Sequence, residues 1–171
     1  MQDVNIFENH GLKYGYSLHG LTHEELNSII PHYFVEKEFF ISLYLAMNGG
    51  YFLEGAFIYR DIFYKTLSCD YNLLEVESFY YIPCKANSES DYLLSITKVL
   101  ELRKKYYPEL IDFFKSHFPF AADAGGNDFW ININSGSIDY IRWESDINNV
   151  IEVSPNFLDF CNNLSPKRRK S

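Results

Sequence analysis

Residues 118–143 read FPFAADAGGNDFWININSGSIDYIRW, and the fold is decided there. A strand runs into a tight turn at Gly125-Gly126-Asn127. Phe129, Ile131 and Ile133 then alternate with Trp130, Asn132 and Asn134, the period of two that a strand requires. A second turn at Ser135-Gly136 joins this strand to another.

Working outward, Asn48-Gly49-Gly50 follows an apolar helical stretch at residues 36–47, where Phe39, Phe40, Leu43, Tyr44 and Met47 share one face. The Asn-Gly-Gly run is expected to stop that helix by supplying a left-handed residue. An earlier helix starts at Thr22, with Glu25 completing a capping box and Leu21 and Leu26 a hydrophobic staple; Pro31 stops it. Strands are expected at 51–59, 62–67 and 73–82. A third helix carries Leu93, Ile96, Val99 and Leu100, with Ser88 and Asp91 as its capping pair. Pro108 opens a further turn of helix through Phe114. Ser154-Pro155 opens a last helix that packs back through Phe157, Leu158, Cys161 and Leu164. Helices, strands, helix, strands, helix in that order argue a single α+β domain. Its bounds are an irregular or short-strand lead-in at 1–21, the domain at 22–164 and a basic tail at 165–171.

A chain of 171 residues with 47% hydrophobic content has ample core material for one domain. Cys69, Cys84 and Cys161 match no CxxC pattern and read as thiols in a reducing compartment. The first residues lack a basic-then-apolar leader, and the longest uncharged run, 39–53, is too short to span a bilayer. A cytoplasmic location and no membrane partner are expected. The net charge is −8, although Lys167, Arg168, Arg169 and Lys170 cluster at residues 167–170. Removing these four cations from −8 leaves −12 on the remainder. Such a body repels bare nucleic acid and suits a basic partner, or serves solubility. The basic run reads as a frayed solubilising end.

Chemistry-bearing patterns are sparse. Neither glycine doublet has the Lys-Ser/Thr of a P-loop or the three spaced glycines of a dinucleotide fingerprint. His19 and His23 are four apart, but His19 precedes the helix and no Cys or carboxylate pair completes a metal site. Glu36 with Glu38, and Glu75 with Glu77, read as solvated pairs. No G-x-S-x-G is present. Neither catalytic residues, nor a cofactor, nor a metal is expected. Trp130 shares its strand face with Asn132 and Asn134; either it is a semi-exposed binding aromatic or a second layer of helix covers it.

Taken together, Leu21-Thr22-His23-Glu24-Glu25-Leu26, Asn48-Gly49-Gly50, Phe118-Pro119-Phe120-Ala121-Ala122-Asp123, Gly125-Gly126-Asn127-Asp128-Phe129-Trp130, the turn at Gly136 and Ser154-Pro155-Asn156-Phe157-Leu158-Asp159-Phe160 resemble the SUKH superfamily, in its Smi/Knr-type branch. The resemblance runs from about Thr22 to Leu164. It implies a strongly bent, mainly antiparallel sheet flanked by helices. Bacterial members are mostly similar to immunity proteins (antitoxins) that neutralise secreted polymorphic toxins, often nucleases; fungal relatives are linked to cell-wall regulation. Residues 85–114 depart from the family in length.

The expectation that follows is a non-catalytic immunity protein that binds a basic toxin domain stoichiometrically. Its contact set is Asp123, Asn127, Asp128 and Trp130 on the hairpin with Glu144 and Asp146 beyond. Asn48, Gly49, Gly50, Gly125, Gly126 and Gly136 serve as structural turns. A regulatory scaffold or small-ligand binder, its pocket lined by the tyrosine-rich strands, is the alternative. An enzyme would show buried, mutually hydrogen-bonded polar side chains in a cleft.

Overall fold

The computed structural model describes residues 6–66, 71–143 and 150–170. The chain enters through helix α1 (Ile6–Asn9) and two short strands, β1 (Tyr14–Gly15) and β2 (Leu18–His19). This lead-in belongs to the core, since Phe7 and Leu12 are buried. Helix α2 (His23–Asn27) starts with the expected reciprocal box: Glu25 N donates to Thr22 Oγ1 at 3.2 Å, and Thr22 N to Glu25 Oε2 at 3.0 Å.

Helix α3 (Lys37–Ala46) buries Phe39, Phe40, Leu43 and Tyr44, as its period demands. Its end differs from the expectation. Met47 is already extended, Met47–Asn48 form β3 against β2, and Gly49 turns left-handed (φ +72°) into β4 (Gly50–Tyr59). The buried Asn48 amide donates to Ile82 O at 2.8 Å and accepts from Ile82 N at 2.7 Å. Asn48-Gly49-Gly50 is therefore a corner between strands rather than a helix cap.

Beyond β4 comes a 3-10 turn (Arg60–Ile62), and the described part of the strand expected at 62–67 forms no strand. Arg60 ties it down, with Nε donating to Glu152 O at 2.7 Å. Strand β5 (Leu73–Phe79) follows. Helix α4 (Ile96–Tyr106) begins at Ser95, whose hydroxyl accepts from Lys98 N at 3.0 Å, and not at Ser88 and Asp91. The reason is tertiary: Tyr81 N bonds Leu94 O and Ile96 N bonds Tyr81 O, holding the chain extended until Ser95. Pro108 opens a 3-10 turn (Pro108–Leu110) leading into α5 (Ile111–Ser116).

The stretch around the two glycine turns forms β6 (His117–Ala122), β7 (Asp128–Asn132) and β8 (Ile138–Ile141), the three strands anticipated there. Strand β9 (Val150–Ser154) precedes α6 (Phe157–Asn162). Asn156, rather than Ser154, caps α6 by accepting from Asp159 N at 2.8 Å, because Ser154 is still paired in β9.

The seven strands order as β1-β4-β5-β6-β7-β8-β9, every pair antiparallel, with β1 and β9 at the two edges. This is an open mixed α+β domain. On one face, α1, α3 and α6 close an aromatic core around Phe79, whose ring meets Phe7, Phe52, Phe120 and Phe157 at centroid distances of 5.7, 5.5, 5.5 and 6.2 Å. Truncating such a buried ring to Ala costs about 3–5 kcal/mol.

A second, smaller core lies on the opposite face, where Phe114 of α5 packs with Trp130 and Ile141. It decides between the two readings of Trp130 in favour of the covering helical layer. Trp130 is 0% exposed, its ring 5.3 Å from Phe113 and 5.6 Å from Phe114. The long segment at 85–114 supplies the helices that cover it. Strands β6, β7 and β8 are thus buried on both faces, whereas β4 and β5 bury alternate residues and leave one face to solvent.

Candidate functional site

Of the residues expected to contact a partner, the four that are described are engaged within the fold. Asp123 fastens the glycine turn: its Oδ1 accepts from Gly125 N at 2.8 Å and Asn127 N at 2.9 Å. Its Oδ2 accepts from Asn127 Nδ2 at 2.9 Å and Tyr140 Oη at 2.6 Å. Asn127 Oδ1 accepts from Trp143 N at 3.0 Å. Asp128 is 0% exposed and accepts from Arg103 Nε at 2.7 Å, Trp143 Nε1 at 2.7 Å and the Tyr80 hydroxyl. Burial raises its carboxyl above the usual range, with Arg103 the leading influence against that shift. Arg103 also donates to Gly126 O at 2.8 Å and stacks 4.6 Å from the Trp143 ring. Asp128 and Trp130 are buried away from any partner; Asp123 and Asn127 are half-buried with their polar atoms engaged. Glu144 and Asp146 lie outside the described residues, as does Cys69.

A second polar network joins α5 to β8. His117 Nε2 lies 2.9 Å from Asp139 Oδ2, and His117 Nδ1 lies 2.8 Å from Ser116 Oγ and 3.0 Å from Phe113 O. The imidazole stacks on Phe113 at 3.8 Å. Ser116 Oγ is also within 3.2 Å of Phe113 O, so the hydroxyl closes a helix end. Among the described residues no three His, Cys, Asp or Glu side chains are grouped to hold a metal, and no helix is long and apolar enough to cross a membrane. Burial pushes the Cys161 thiol up, away from the reactive thiolate.

The open face of β4 and β5 carries the more suggestive geometry. A cleft of about 490 Å³ is lined by Tyr16, Tyr51, Phe52, Leu53, Glu77 and Tyr92. Tyr16, Leu53 and Tyr92 are 66%, 52% and 50% exposed, large apolar surfaces that folding alone leaves unburied. Tyr51 Oη donates to Tyr92 O at 2.6 Å and closes one wall, and the rings of Tyr16 and Tyr92 meet edge-on at 6.0 Å. Tyr16 holds a left-handed backbone (φ +55°), a strained conformation for a bulky residue. Glu77 contributes the carboxylate; burial raises it most, and the like charges of Glu75 and Asp123 add to that.

At the other end of β4 lies the basic run. It is not frayed. Ser165 exchanges two backbone hydrogen bonds with Phe57, each 2.8 Å, against the edge of β4. Arg168 then lies 5.2 Å over the Phe57 ring and Arg169 4.0 Å over Tyr59. Arg169 Nη1 donates to Asp61 Oδ2 at 2.7 Å, and Arg169 N to Tyr59 Oη at 2.7 Å.

No protein-family model and no curated protein matches this chain. Sequence reasoning offered a pocket lined by tyrosine-rich strands as its alternative without naming Tyr16 or Tyr92, and it missed the pairing of the basic run with β4. Tyr16 and Tyr92 were visible only as two of 14 tyrosines, and no local pattern brings positions so distant in the chain to one cleft.

Proposed function

We propose that this protein acts by binding, as a stoichiometric inhibitor of a basic protein domain, and that the open face of β4 and β5 is where it does so. Tyr16 carries the reading. A tyrosine in a strained left-handed backbone, two-thirds exposed at the mouth of an aromatic cleft, is held there at a cost to folding and makes a rigid contact residue. The carboxyl of Glu77, raised chiefly by burial and further by the like charges of Glu75 and Asp123, adds chemical direction, because an arriving cation offsets both. A net charge of −8 steers basic domains toward the chain and raises their association rate.

The SUKH resemblance supplies the biological form of this reading: a bacterial immunity protein, with a strongly bent sheet, that occludes a secreted polymorphic toxin. Three register shifts, in the pairings of β4–β5, β6–β7 and β8–β9, are compatible with such bending, since bulges sharpen local twist. The contact surface moves from the glycine hairpin to the tyrosine cleft. A regulatory small-ligand binder is the competing reading, favoured by a cleft volume of about 490 Å³, within the range of small-molecule sites.

The test is capture of a partner from lysate of the source cell at low and high salt, then assay of that partner's own activity with purified protein. Inhibition that saturates at one equivalent and weakens with salt supports the proposal. A captured partner whose activity is untouched, or a co-purified small molecule displaced by Tyr92→Ala, overturns it in favour of the alternative.

A further inference from the structure

The basic run reads as a ligand of its own chain. Its backbone pairs with the β4 edge at Phe57, its two guanidinium groups lie over Phe57 and Tyr59, and one of them meets Asp61. Phe57 and Tyr59 stand two apart on β4, the spacing that puts strand side chains on one face, and Asp61 follows in the 3-10 turn, where it reaches the guanidinium over Tyr59. We propose that Phe57, Tyr59 and Asp61 form an arginine-reading strip whose occupant in complexes is an extended, arginine-bearing segment of a basic protein, with Arg168 and Arg169 holding its place in the free chain.

Four features favour a partner of this chemistry. The strip combines flat aromatic faces with a carboxylate, and a planar guanidinium satisfies both at once in a way an ammonium does not. The β4 edge beyond β1 offers backbone groups to an incoming strand, as its pairing with Ser165 demonstrates. The contacts of the run are exchangeable, because the Arg169–Asp61 pair is 50% and 35% exposed and surface pairs of this kind are weak. Displacing Arg168 and Arg169 also exposes an acidic body, whose field favours the incoming cationic segment.

The strip is separate from the cleft at Tyr16, and its test needs no toxin. The probe is a synthetic peptide with the sequence of residues 165–171, SPKRRKS, titrated to several mM into isotope-labelled protein and followed by amide chemical shifts. That range matches the effective concentration of a tethered segment, on the order of mM. The chain shortened to end at Leu164, which removes Ser165 from the β4 edge together with the two arginines, is expected to bind the peptide, with shifts centred on Phe57 and Tyr59, while the full chain binds at least about tenfold more weakly because the site is filled. In the shortened chain, Tyr59→Leu with Asp61→Asn should abolish binding while leaving the amide spectrum otherwise folded. A lysine peptide, SPKKKKS, should bind several-fold more weakly than the arginine peptide. The proposal is overturned if the shortened and full chains bind alike, if the shortened chain binds nothing, or if the lysine peptide binds equally well.

Discussion

Arg103 on α4 and Asp128 on β7 form the ion pair that locks the second helical layer to the sheet, Nε to Oδ2 at 2.7 Å, with 22% and 0% of their side chains exposed. The pair sits beneath the Gly125-Gly126 turn and is completed by Tyr80 and Trp143. It converts residues that look like surface acids and amides into the fastening of a buried layer.

Arg103→Met leaves Asp128 buried without its cation, and the expected loss is about 3–5 kcal/mol in denaturant unfolding. Asp128 already has a raised pKa, and losing Arg103 raises it further. A carboxyl raised in the folded state favours stability below its unfolded pKa and loses that contribution as pH rises through the folded one. The deficit of Arg103→Met should therefore shrink as pH falls from 7 toward 5, and adding Asp128→Asn should recover much of it at pH 7. A deficit independent of pH would rule out the ion pair as its source.

Tyr16→Gly separates stability from binding. It relieves left-handed strain of about 1–2 kcal/mol, offset by roughly 0.5–1 kcal/mol of extra chain entropy. The melting temperature should hold or rise while affinity for the basic partner falls at least about tenfold, the effect of a contact worth about 1.4 kcal/mol. Equal affinity with higher stability would remove Tyr16 from the interface.

The buried tyrosines predict a steep alkaline limit. Burial is the leading cause raising Tyr14, Tyr44 and Tyr80 above the ordinary phenol value. Their stability contribution is fully present below about pH 10, the unfolded value, and is lost as pH rises beyond it. Unfolding free energy measured from pH 9 to 11 should fall, and Tyr44→Phe should flatten that slope. At neutral pH the same variant should lose about 0.5–1.5 kcal/mol, since Tyr44 Oη donates to Tyr80 O at 2.6 Å.

Two turn glycines should differ in tolerance. Gly126 and Gly136 are both left-handed, at φ +81° and +79°. A Cβ at Gly126 meets nothing within 4 Å, whereas one at Gly136 lands 2.4 Å from Val35 Cβ. Gly126→Ala should cost only the strain of about 1–2 kcal/mol. Gly136→Ala adds an overpacking cost of about 1–3 kcal/mol, so its unfolding midpoint should be the lower of the two.

Local signals proved good guides where the physics is local. Thr22 and Glu25 cap one helix as written, and the alternation through Phe129, Ile131 and Ile133 belongs to a strand and its immediate continuation. Ser88, Asp91 and Ser154 offered equally good caps and are not used, because backbone pairing of Leu94 and Ile96 with Tyr81, and of Ser154 with Ile138, takes precedence. Trp130 illustrates the limit most clearly. Its neighbours at 132 and 134 are polar, yet α5 packs over it, and strand alternation cannot say whether an outer face meets water or another layer.

Periodicity, capping and composition are properties of neighbours along the chain, and they sufficed for the class of fold, the strands about the two glycine turns, the aromatic core and the acidic charge. Only the tertiary structure decided which faces are open. It buried Asp128 and Trp130 under α4 and α5, left Tyr16 and Tyr92 at the mouth of a cleft, and laid Arg168 and Arg169 on β4. Those outcomes depend on contacts between residues far apart in sequence, which no local pattern encodes.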